Sequence, residues 1–567
     1  MLLLRSRMES RHQRKTELPS GILVGQGPRP GTAWVLTADE HVLLVGSPGS
    51  GKSRRIILPT IGVIGMAGTE SMLINDPKGE LYAYSADWLR SRGYRVVRID
   101  LRQPSRGNRW NPVKAVADAL AAGRWDAASA LAWDIGHLFA WSSEYKGGDP
   151  IWPQSQEALI AALVLGVAQG KPPGPFADDP RLSVTIAAKV AKAPWPNADT
   201  MHMASVYQSL ISGESGGRRI DEWMRLLPEG HPARSAFGPV SLSTDKTRSS
   251  ILTGAGANLR LFGDGEVAWL TAAQDHDLAD LGRCPTAVFL VIPDERGTRY
   301  PLATLYIQQT VQALTQLADT NGGRLPVRVN MLLDEFGNLP QLRDWDHTVT
   351  VCRGRGIRLL LALQDLAQLK RHYQEAAQTI KGSCRVWLYL LTADLDTAKE
   401  ISGKLGEYTT FGETQSMPKV YWTSSSVPGH ATNTQTLMKR PLLLPDELLR
   451  WPEGQALVLQ ARHAPARLTL PDLSAWDVFR EIQEPISQAP ERPVRAPTVW
   501  RPGKELEPPP GAVGAQTGGG AGGGGGHGDP GGIPVEELGT AMQMPLRNMA
   551  AALAAQTVRA GGDGTEE

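Results

Sequence analysis

The stretch His41-Val-Leu-Leu-Val-Gly-Ser-Pro-Gly-Ser-Gly-Lys-Ser53 decides the fold of this 567-residue chain. A short apolar strand leads into the spacing G-x-x-x-x-G-K-S, and the residues that follow continue as a helix, which is the context of a phosphate-binding P-loop. Glycines in such a loop let backbone N–H groups turn toward phosphate oxygens at the positive end of the helix. The predicted nucleotide-binding residues are Gly46, Ser47, Pro48, Gly49, Ser50, Gly51, Lys52 and Ser53.

Two of these side chains carry specific chemistry. Lys52 is predicted to reach the β- and γ-phosphates, and the hydroxyl of Ser53 is predicted to ligate Mg²⁺. A glycine-rich turn with a surface lysine is the alternative, and the strand–loop–helix context argues against it. The chain is therefore predicted to bind ATP and Mg²⁺.

A second motif indicates that the bound nucleotide is also hydrolysed. The apolar run Val327–Leu333 ends in Asp334 and Glu335, and acids at the carboxyl end of a buried strand lie where ligands bind in open α/β sheets. Asp334 is predicted to hold the Mg²⁺ shell, and Glu335 to polarise the attacking water. An Asp-Glu pair is common on its own, so its meaning depends on the P-loop.

A third segment, Cys352–Gln364, reads as a basic turn, a buried strand and a polar strand end. Gln364 is predicted to sense the γ-phosphate or the water. Arg353 or Arg355 is a candidate arginine finger that would act on a neighbouring subunit. The alternative for each arginine is a solvated surface charge.

Composition sets outer limits. The net charge is +1, so any contact to DNA must come from local patches or from a ring that concentrates them. The three cysteines, at positions 284, 352 and 384, have no metal-ligand spacing and read as reduced, buried residues. No apolar run approaches the ~20 residues needed to span a bilayer, and the longest, 56–68 and 158–168, read as core.

Eight strands are predicted, and they alternate with helices, which indicates an α/β fold with a mostly parallel sheet covered on both faces. Long Ala- and Leu-rich helical stretches interrupt the strands after the third. Residues 511–532 hold 13 glycines and are predicted to be a disordered linker. The predicted domains are a basic segment at 1–35, a nucleotide-binding domain at 36–112 and 283–480, an all-helical insertion at 113–282, a Pro/Gly-rich linker at 481–532, and a tail with a short amphipathic helix at 533–567.

Several motifs around these features narrow the family. They are Asp76-Pro-Lys-Gly-Glu80, Trp110-Asn-Pro-Val113, Asp149-Pro-Ile-Trp152, Leu332-Leu-Asp-Glu-Phe-Gly-Asn-Leu-Pro340, Gln364-Asp-Leu-Ala-Gln-Leu369 and Arg440-Pro-Leu-Leu-Leu-Pro-Asp-Glu447. In this order, over about 40–475, the series resembles the type IV coupling proteins of conjugation and type IV secretion, the TraG-like family. Asp76-Pro-Lys-Gly-Glu80 itself has two open readings, a structural turn or a contact to a neighbouring subunit.

The resemblance implies a RecA-like P-loop domain split by an all-alpha domain, related to hexameric DNA-pumping ATPases of the FtsK/HerA kind. It favours Arg353 as the finger, since the family's arginine stands eleven residues before the sensor glutamine. It also implies a homo-hexamer whose partners are DNA, single-stranded or relaxase-bound, relaxosome proteins, and a secretion channel or a separate membrane anchor. Candidate DNA contacts in the helical domain are Arg218, Arg219, Lys246 and Arg248, against the alternative of ordinary surface charge.

One departure concerns the membrane. Family members usually begin with two transmembrane helices, and this chain has none, so it is expected to be either a variant that docks on a membrane partner or a truncated frame. The expected location is the cytoplasm, at the inner face of the cell membrane. The expected function is an ATP-driven DNA translocase. The alternatives are a motor for protein effectors or DNA segregation, and an ATP-binding adaptor without translocation.

Overall fold

The computed structural model describes residues 2–5, 18–29, 31–141, 149–172, 180–212, 217–293, 297–416 and 432–502. Its strands are β1 Leu2–Arg5, β2 Ile22–Gln26, β3 Thr32–Leu36, β4 Val42–Gly46, β5 Ser71–Asp76, β6 Arg95–Asp100, β7 Thr286–Val291, β8 Val329–Leu333, β9 Ile357–Leu363, β10 Val386–Leu391, β11 Glu407–Ser416, β12 Thr432–Pro441, β13 Gln455–Gln460 and β14 Ala466–Thr469.

Its helices are α1 Leu58–Ala67, α2 Glu80–Ser91, α3 Lys114–Ala121, α4 Trp125–Ala140, α5 Ile151–Gln169, α6 Pro180–Lys192, α7 Met203–Ile211, α8 Arg218–Arg225, α9 Pro232–Ser241, α10 Asp245–Leu259, α11 Gly265–Leu270, α12 Asp280–Arg283, α13 Tyr300–Thr320, α14 Trp345–Arg355, α15 Leu366–Tyr373, α16 Ala376–Ser383, α17 Leu395–Leu405 and α18 Pro445–Leu449.

A nine-stranded sheet in the order β14-β13-β10-β4-β9-β8-β5-β7-β6 carries the fold. The seven strands from β10 to β6 are parallel, and β13 and β14 add an antiparallel edge. Every residue of β4, β5, β7, β8 and β9 is buried, as expected of parallel strands covered by helices on both faces. The α/β prediction is confirmed, and all eight predicted strands belong to this sheet.

The order of the central strands brings the predicted motifs together. β9 lies between the P-loop strand β4 and the acidic-motif strand β8, and β5 flanks β8 on its other side. Because the strands are parallel, their carboxyl ends meet at one edge of the sheet. This carboxyl edge carries the P-loop, the pair Asp334-Glu335, Gln364 and the turn that follows Asp76.

Ten helices, α3 to α12, separate β6 from β7, and no strand lies among the described residues between them. Their core helix is α5, which is buried from Ala158 to Ala168. Among the described residues α5 is also the one helix long and apolar enough to cross a membrane, and 67% of its apolar window is buried inside the protein. The neighbouring helices thus already cover most of this apolar surface.

The N-terminal region holds structure that the sequence did not predict. Strands β1, β3 and β2 form a small antiparallel sheet within the range expected to be only a basic segment. The side chains of Ile22 and Val35 are fully buried. Close contact with β14 explains Gly25, where a Cβ would lie 2.7 Å from the Cβ of Leu468.

Two further segments refine the sequence-based organisation. β11 and β12 form a separate antiparallel two-stranded sheet. The chain from 483 to 502, expected to start a linker, crosses the surface in a fixed path: Ser487 donates its N–H to the carbonyl of Ala83, and Arg492 to that of Ser105. Trp500 is 1% exposed and lies 4.6 Å from the ring of Trp223. The Gly-rich stretch and the predicted tail helix lie outside the described residues.

Candidate functional site

The P-loop curls around an open space at the end of β4. Gly49 and Gly51 have φ angles of +78° and +87°, which favour glycine. A Cβ on Gly46 would lie 2.5 Å from the hydroxyl of Ser50, so that position must stay bare. A π-helical segment begins at Lys52 and continues into α1. The N–H groups of the loop therefore converge as a phosphate cradle requires.

Lys52 lies at the base of this loop with 8% of its surface exposed. Its ammonium donates a 2.5 Å hydrogen bond to the carbonyl of Gly46. Burial lowers the pKa of Lys52, and the carboxylates of Asp334 and Glu335 oppose that effect. A buried ammonium between the glycine-rich P-loop and two carboxylates is placed to bind an anionic ligand.

Asp334 follows β8 and is 6% exposed. Its Oδ2 accepts a 3.2 Å hydrogen bond from the Ser53 hydroxyl, and its backbone carbonyl accepts one from the Asn75 amide. Burial raises the pKa of Asp334, whereas Lys52 and the Ser53 hydroxyl act to lower it. The hydroxyl and the carboxylate thus meet on one spot, as the sequence predicts for a Mg²⁺ site.

Glu335 occupies a strained backbone position beside Asp334. Its φ of +54° lies in the left-handed region, which costs a residue with a side chain about 1–3 kcal/mol. Its Oε2 accepts a 2.8 Å hydrogen bond from the amide of Asn338. The conformation turns this acid into the cleft, which it lines.

Gln364 lies at the same edge without lining the cleft. Leu363 pairs with Val45, so the next residue, Gln364, stands level with Gly46 between the two motif strands. Its backbone N–H donates a 3.0 Å hydrogen bond to Oε1 of Gln368. The position suits a sensor, and that role stays a prediction.

The two candidate finger arginines lie at the opposite, amino edge of the sheet. They end helix α14, whose Val349 carbonyl bonds His41 just before β4. At a strand rise of about 3.3 Å per residue, this edge is roughly 20 Å from the P-loop. Arg355 pairs with Asp319 at 2.9 Å, whereas no carboxylate of the described residues pairs with Arg353. Neither arginine reaches the cleft of its own subunit, so a finger role requires a second copy.

The four candidate DNA contacts in the helical domain remain untested predictions. Arg248 is 9% exposed and pairs with Asp221 at 2.8 Å, so its charge is committed within the domain.

Other residues complete the cleft, which has a volume of about 330 Å³. Asp76 is 1% exposed and lies beside Asp334, and burial raises its pKa to about 6, with backbone N–H groups opposing. Arg54 lines the cleft and pairs with Asp472 at 2.7 Å. The motif Asp76-Pro-Lys-Gly-Glu80 pointed to the first of these; no sequence signal pointed to the pair with Asp472, since 418 residues separate the partners.

The cleft fits a triphosphate with a divalent cation. Two buried polar atoms at its edge, the Ser50 hydroxyl and Oδ1 of Asn75, have no hydrogen-bond partner, as expected of a site that awaits a polar ligand. Hydroxyl and carboxylate oxygens are the donors that Mg²⁺ prefers. Among the described residues no cluster of three or more His, Cys, Asp or Glu could hold a metal alone. Ser53 and Asp334 would hold such a cation, with phosphate and water as its other ligands.

A family model and the most similar relatives point to the same family. Residues 8–471 match the family model described as type IV secretory system conjugative DNA transfer. The chain is 26% identical over 434 residues to the conjugal transfer protein TraG of Escherichia coli, covering 73% of this chain and 62% of TraG. It is 26% identical over 372 residues to the protein VirD4 of Rhizobium rhizogenes, covering 65% and 50%. The chain thus spans between half and two thirds of the length of these relatives.

Among solved structures, the chain resembles the bacterial conjugative coupling protein TrwBdeltaN70, with a TM-score of 0.53 and 18% identity over 83% of this chain and 92% of that one. TrwB in complex with the non-hydrolysable ATP analogue ADPNP matches with a TM-score of 0.50 and 18% identity. At this identity the likeness shows a shared fold, a P-loop α/β domain with a helical domain.

Proposed function

The chain belongs to the conjugative DNA transfer family of the type IV secretory system, and from that premise we propose that it is an ATP-driven DNA translocase. It would act as a coupling ATPase that delivers DNA, alone or with a bound relaxase, to a secretion channel. One observation carries the proposal: Lys52, Ser53, Asp334 and Glu335 line one cleft although 280 residues separate the two motifs.

The residues of the cleft divide the work of hydrolysis. The P-loop N–H groups and the ammonium of Lys52 bind and orient the phosphates, while Ser53 and Asp334 hold the cation. Mg²⁺, when bound, neutralises charge that develops on the phosphate oxygens. Glu335 orients the attacking water and accepts its proton, which its exposure to the cleft permits. That TrwB has been solved with an ATP analogue supports ATP as the nucleotide.

We assign Arg353 to the neighbouring subunit's site. Its distance from the cleft of its own chain supports a contact in trans, as does the absence of a carboxylate partner for Arg353 among the described residues, whereas Arg355 pairs with Asp319. Head-to-tail contacts of this kind close into rings, and the proposed ring is a homo-hexamer. Gln364 would relay the state of the terminal phosphate through β9, which touches both motif strands.

DNA-stimulated hydrolysis tests the function. ATP turnover of the purified chain is measured without DNA, with single-stranded DNA and with double-stranded DNA, beside Lys52→Ala and Glu335→Gln. The proposal expects stimulation by DNA that both variants abolish, and a strong salt dependence because the contact is to phosphates. Nucleotide binding without turnover in any condition would instead favour an adaptor, an alternative that the complete set of hydrolytic residues argues against.

Complementation tests the shared site. Lys52→Ala and Arg353→Ala are each expected to be inactive, but a mixture forms some interfaces that take an intact Lys52 from one subunit and an intact Arg353 from the next. Mixing should restore part of the turnover. Arg355→Ala serves as the matched control and should retain activity alone. A mixture as inactive as its components would remove Arg353 from the site.

The proposed cargo and location follow from the family. The substrate would be single-stranded or relaxase-bound DNA presented by relaxosome proteins, at the cytoplasmic face of the cell membrane. A secretion channel or a separate anchor protein would hold the ring there. Stimulation of turnover by a protein substrate but not by DNA would favour the effector motor.

A further inference from the structure

The turn Asp76-Pro-Lys-Gly79 forms the part of the cleft wall that lies beyond the acidic motif. It follows β5, and the sheet order β4-β9-β8-β5 sets Asp334 between this turn and the P-loop. Asp76, Pro77 and Lys78 all line the cleft. A ligand that spans the cleft from the P-loop past Asp334 therefore ends at this turn.

Three residues of the turn serve its shape. Oδ2 of Asp76 accepts a 2.8 Å hydrogen bond from the N–H of Tyr82, which fixes the start of α2. Pro77 is buried and has a fixed φ. Gly79 has a φ of +74° and donates its N–H to the carbonyl of Asp76. The turn is thus rigid, and each of these residues has a structural explanation.

Lys78 is the exception. Its side chain is exposed, and no carboxylate of the described residues pairs with its ammonium. Its positive charge nevertheless acts on Lys52. Burial is the largest cause that lowers the pKa of Lys52, Asp334 and Glu335 act to raise it, and the charge of Lys78 acts to lower it. Two ammonium groups thus face one cleft, and within the described part of the chain the second has no ion-pair partner.

We propose that Lys78 is a second phosphate-binding lysine, which contacts the terminal phosphate of a nucleoside triphosphate in the cleft of its own subunit. The assignment rests on the proposed function. The terminal phosphate is the group concerned because it must lie next to Glu335, on the side of the cleft that Lys78 shares. Lys52 approaches the β- and γ-phosphates from the P-loop, so the two lysines would hold the terminal phosphate from two sides. Asp76 is then a positioning residue, which orients the turn that presents Lys78.

The test compares nucleotides that differ by one phosphate. Binding of a non-hydrolysable ATP analogue and of ADP, each with Mg²⁺, is measured by calorimetry on the full chain and on Lys78→Ala. Only the ATP analogue has a terminal phosphate for Lys78 to bond. Lys78→Ala should therefore lower the affinity for the analogue about tenfold, through loss of a charge-assisted hydrogen bond. ADP affinity should change by less than about twofold.

Two variants frame this result. Lys78→Arg keeps the charge and should recover most of the affinity for the ATP analogue. Lys399→Ala removes another exposed lysine, which pairs with Asp396 on α17, and should change neither affinity.

The outcomes separate the inference from the function beneath it. Loss of affinity for both nucleotides to the same degree, or for neither, would overturn the role of Lys78 while leaving nucleotide binding intact. Failure of Lys78→Arg to recover affinity would overturn the role assigned to its charge. Wild-type protein that binds neither nucleotide would overturn the proposed function together with this inference.

Discussion

The two edges of the large sheet both bury polar groups and use them in opposite ways. At the amino edge the guanidinium of Arg358 is fully buried, and its groups donate to Glu70, Asn330 and the carbonyls of Leu36 and Ala38 at 2.7–3.1 Å. At the carboxyl edge the Ser50 hydroxyl and Oδ1 of Asn75 are buried without a partner. Polar groups that are satisfied within the chain hold the fold together, and polar groups left without a partner are available to a ligand.

Lys52→Ala should give the largest effect, and it should affect hydrolysis far more than stability. Hydrolysis should fall at least about 1,000-fold, because the P-loop lysine stabilises charge on the transferring phosphate. The free energy of unfolding should change by no more than about 1 kcal/mol, since functional residues contribute little to stability. Turnover assays and chemical denaturation measure the two. A large loss of stability would mean that the carboxyl edge is also structural.

Arg358→Ala should show the reverse behaviour. Removal of the guanidinium takes one of its two arginine partners from the buried Glu70, which keeps Arg328, and it leaves the carbonyls of Leu36 and Ala38 without this donor. The loss should cost about 3 kcal/mol of folding free energy. Thermal and urea denaturation measure the loss. The matched control is Arg355→Ala, which breaks a surface pair with Asp319 and should cost less than about 1 kcal/mol. Equal costs for the two variants would refute the contrast between the edges.

His41, at the amino edge, should make stability depend on pH. Its Nε2 donates to the carbonyl of Val349 and its Nδ1 accepts from the N–H of Leu359, so the neutral ring is satisfied at both nitrogens. Burial lowers its pKa to about 4; the charges of Arg353 and Arg358 act in the same direction, and Asp39 and the Val349 carbonyl oppose them.

The sign of the pH effect follows from this lowered pKa. The unfolded chain takes up a proton near pH 6.5 and the folded chain only near 4, so stability falls as the pH drops through this window and is constant below it. The loss from His41 is at most about 3 kcal/mol. His41→Asn should flatten the pH dependence of unfolding, whereas His347→Asn, at an exposed position, should leave it unchanged. A slope unaffected by His41→Asn would assign the effect to other buried histidines.

Glu335→Gly should give the smallest change in stability, and a change of opposite sign. Glycine relieves the left-handed backbone at φ +54°, so the free energy of unfolding should rise by about 1 kcal/mol while hydrolysis is lost. Asp344→Gly, at φ +50°, is the control and should stabilise less, because aspartate tolerates this region better. No gain at Glu335 would indicate that its bond to Asn338 offsets the strain.

The carboxyl edge was predictable because its motifs are local. Apolar strands followed by glycines or acids mark Lys52, Ser53 and Asp334 directly, and parallel pairing then brings them together. The amino edge was not predictable, since Arg358 interrupts an apolar strand and its partners Glu70 and Asn330 lie far away in sequence.

The two ends of the chain were harder to predict for other reasons. Ile22–Gln26 and Thr32–Leu36 are short, and the basic residues before them dominated the composition. The proline-rich stretch after 483 was expected to be a linker, yet Trp500 anchors it by burying a large apolar ring. Composition averages over a segment and does not register a single anchoring side chain.

The insertion between β6 and β7 has a consequence for how the protein is made. β7 lies between β5 and β6 in the sheet, yet residues 101–285 must be synthesised after β6 before β7 appears. At about 5–20 residues per second, a ribosome takes roughly 10–40 s to cover that distance. During this interval the first half of the nucleotide-binding domain waits with open strand edges while the helical domain emerges complete. Chaperones that bind nascent chains should therefore engage this protein after β6 has been synthesised and before β7 appears, and slower translation of the insertion should increase aggregation.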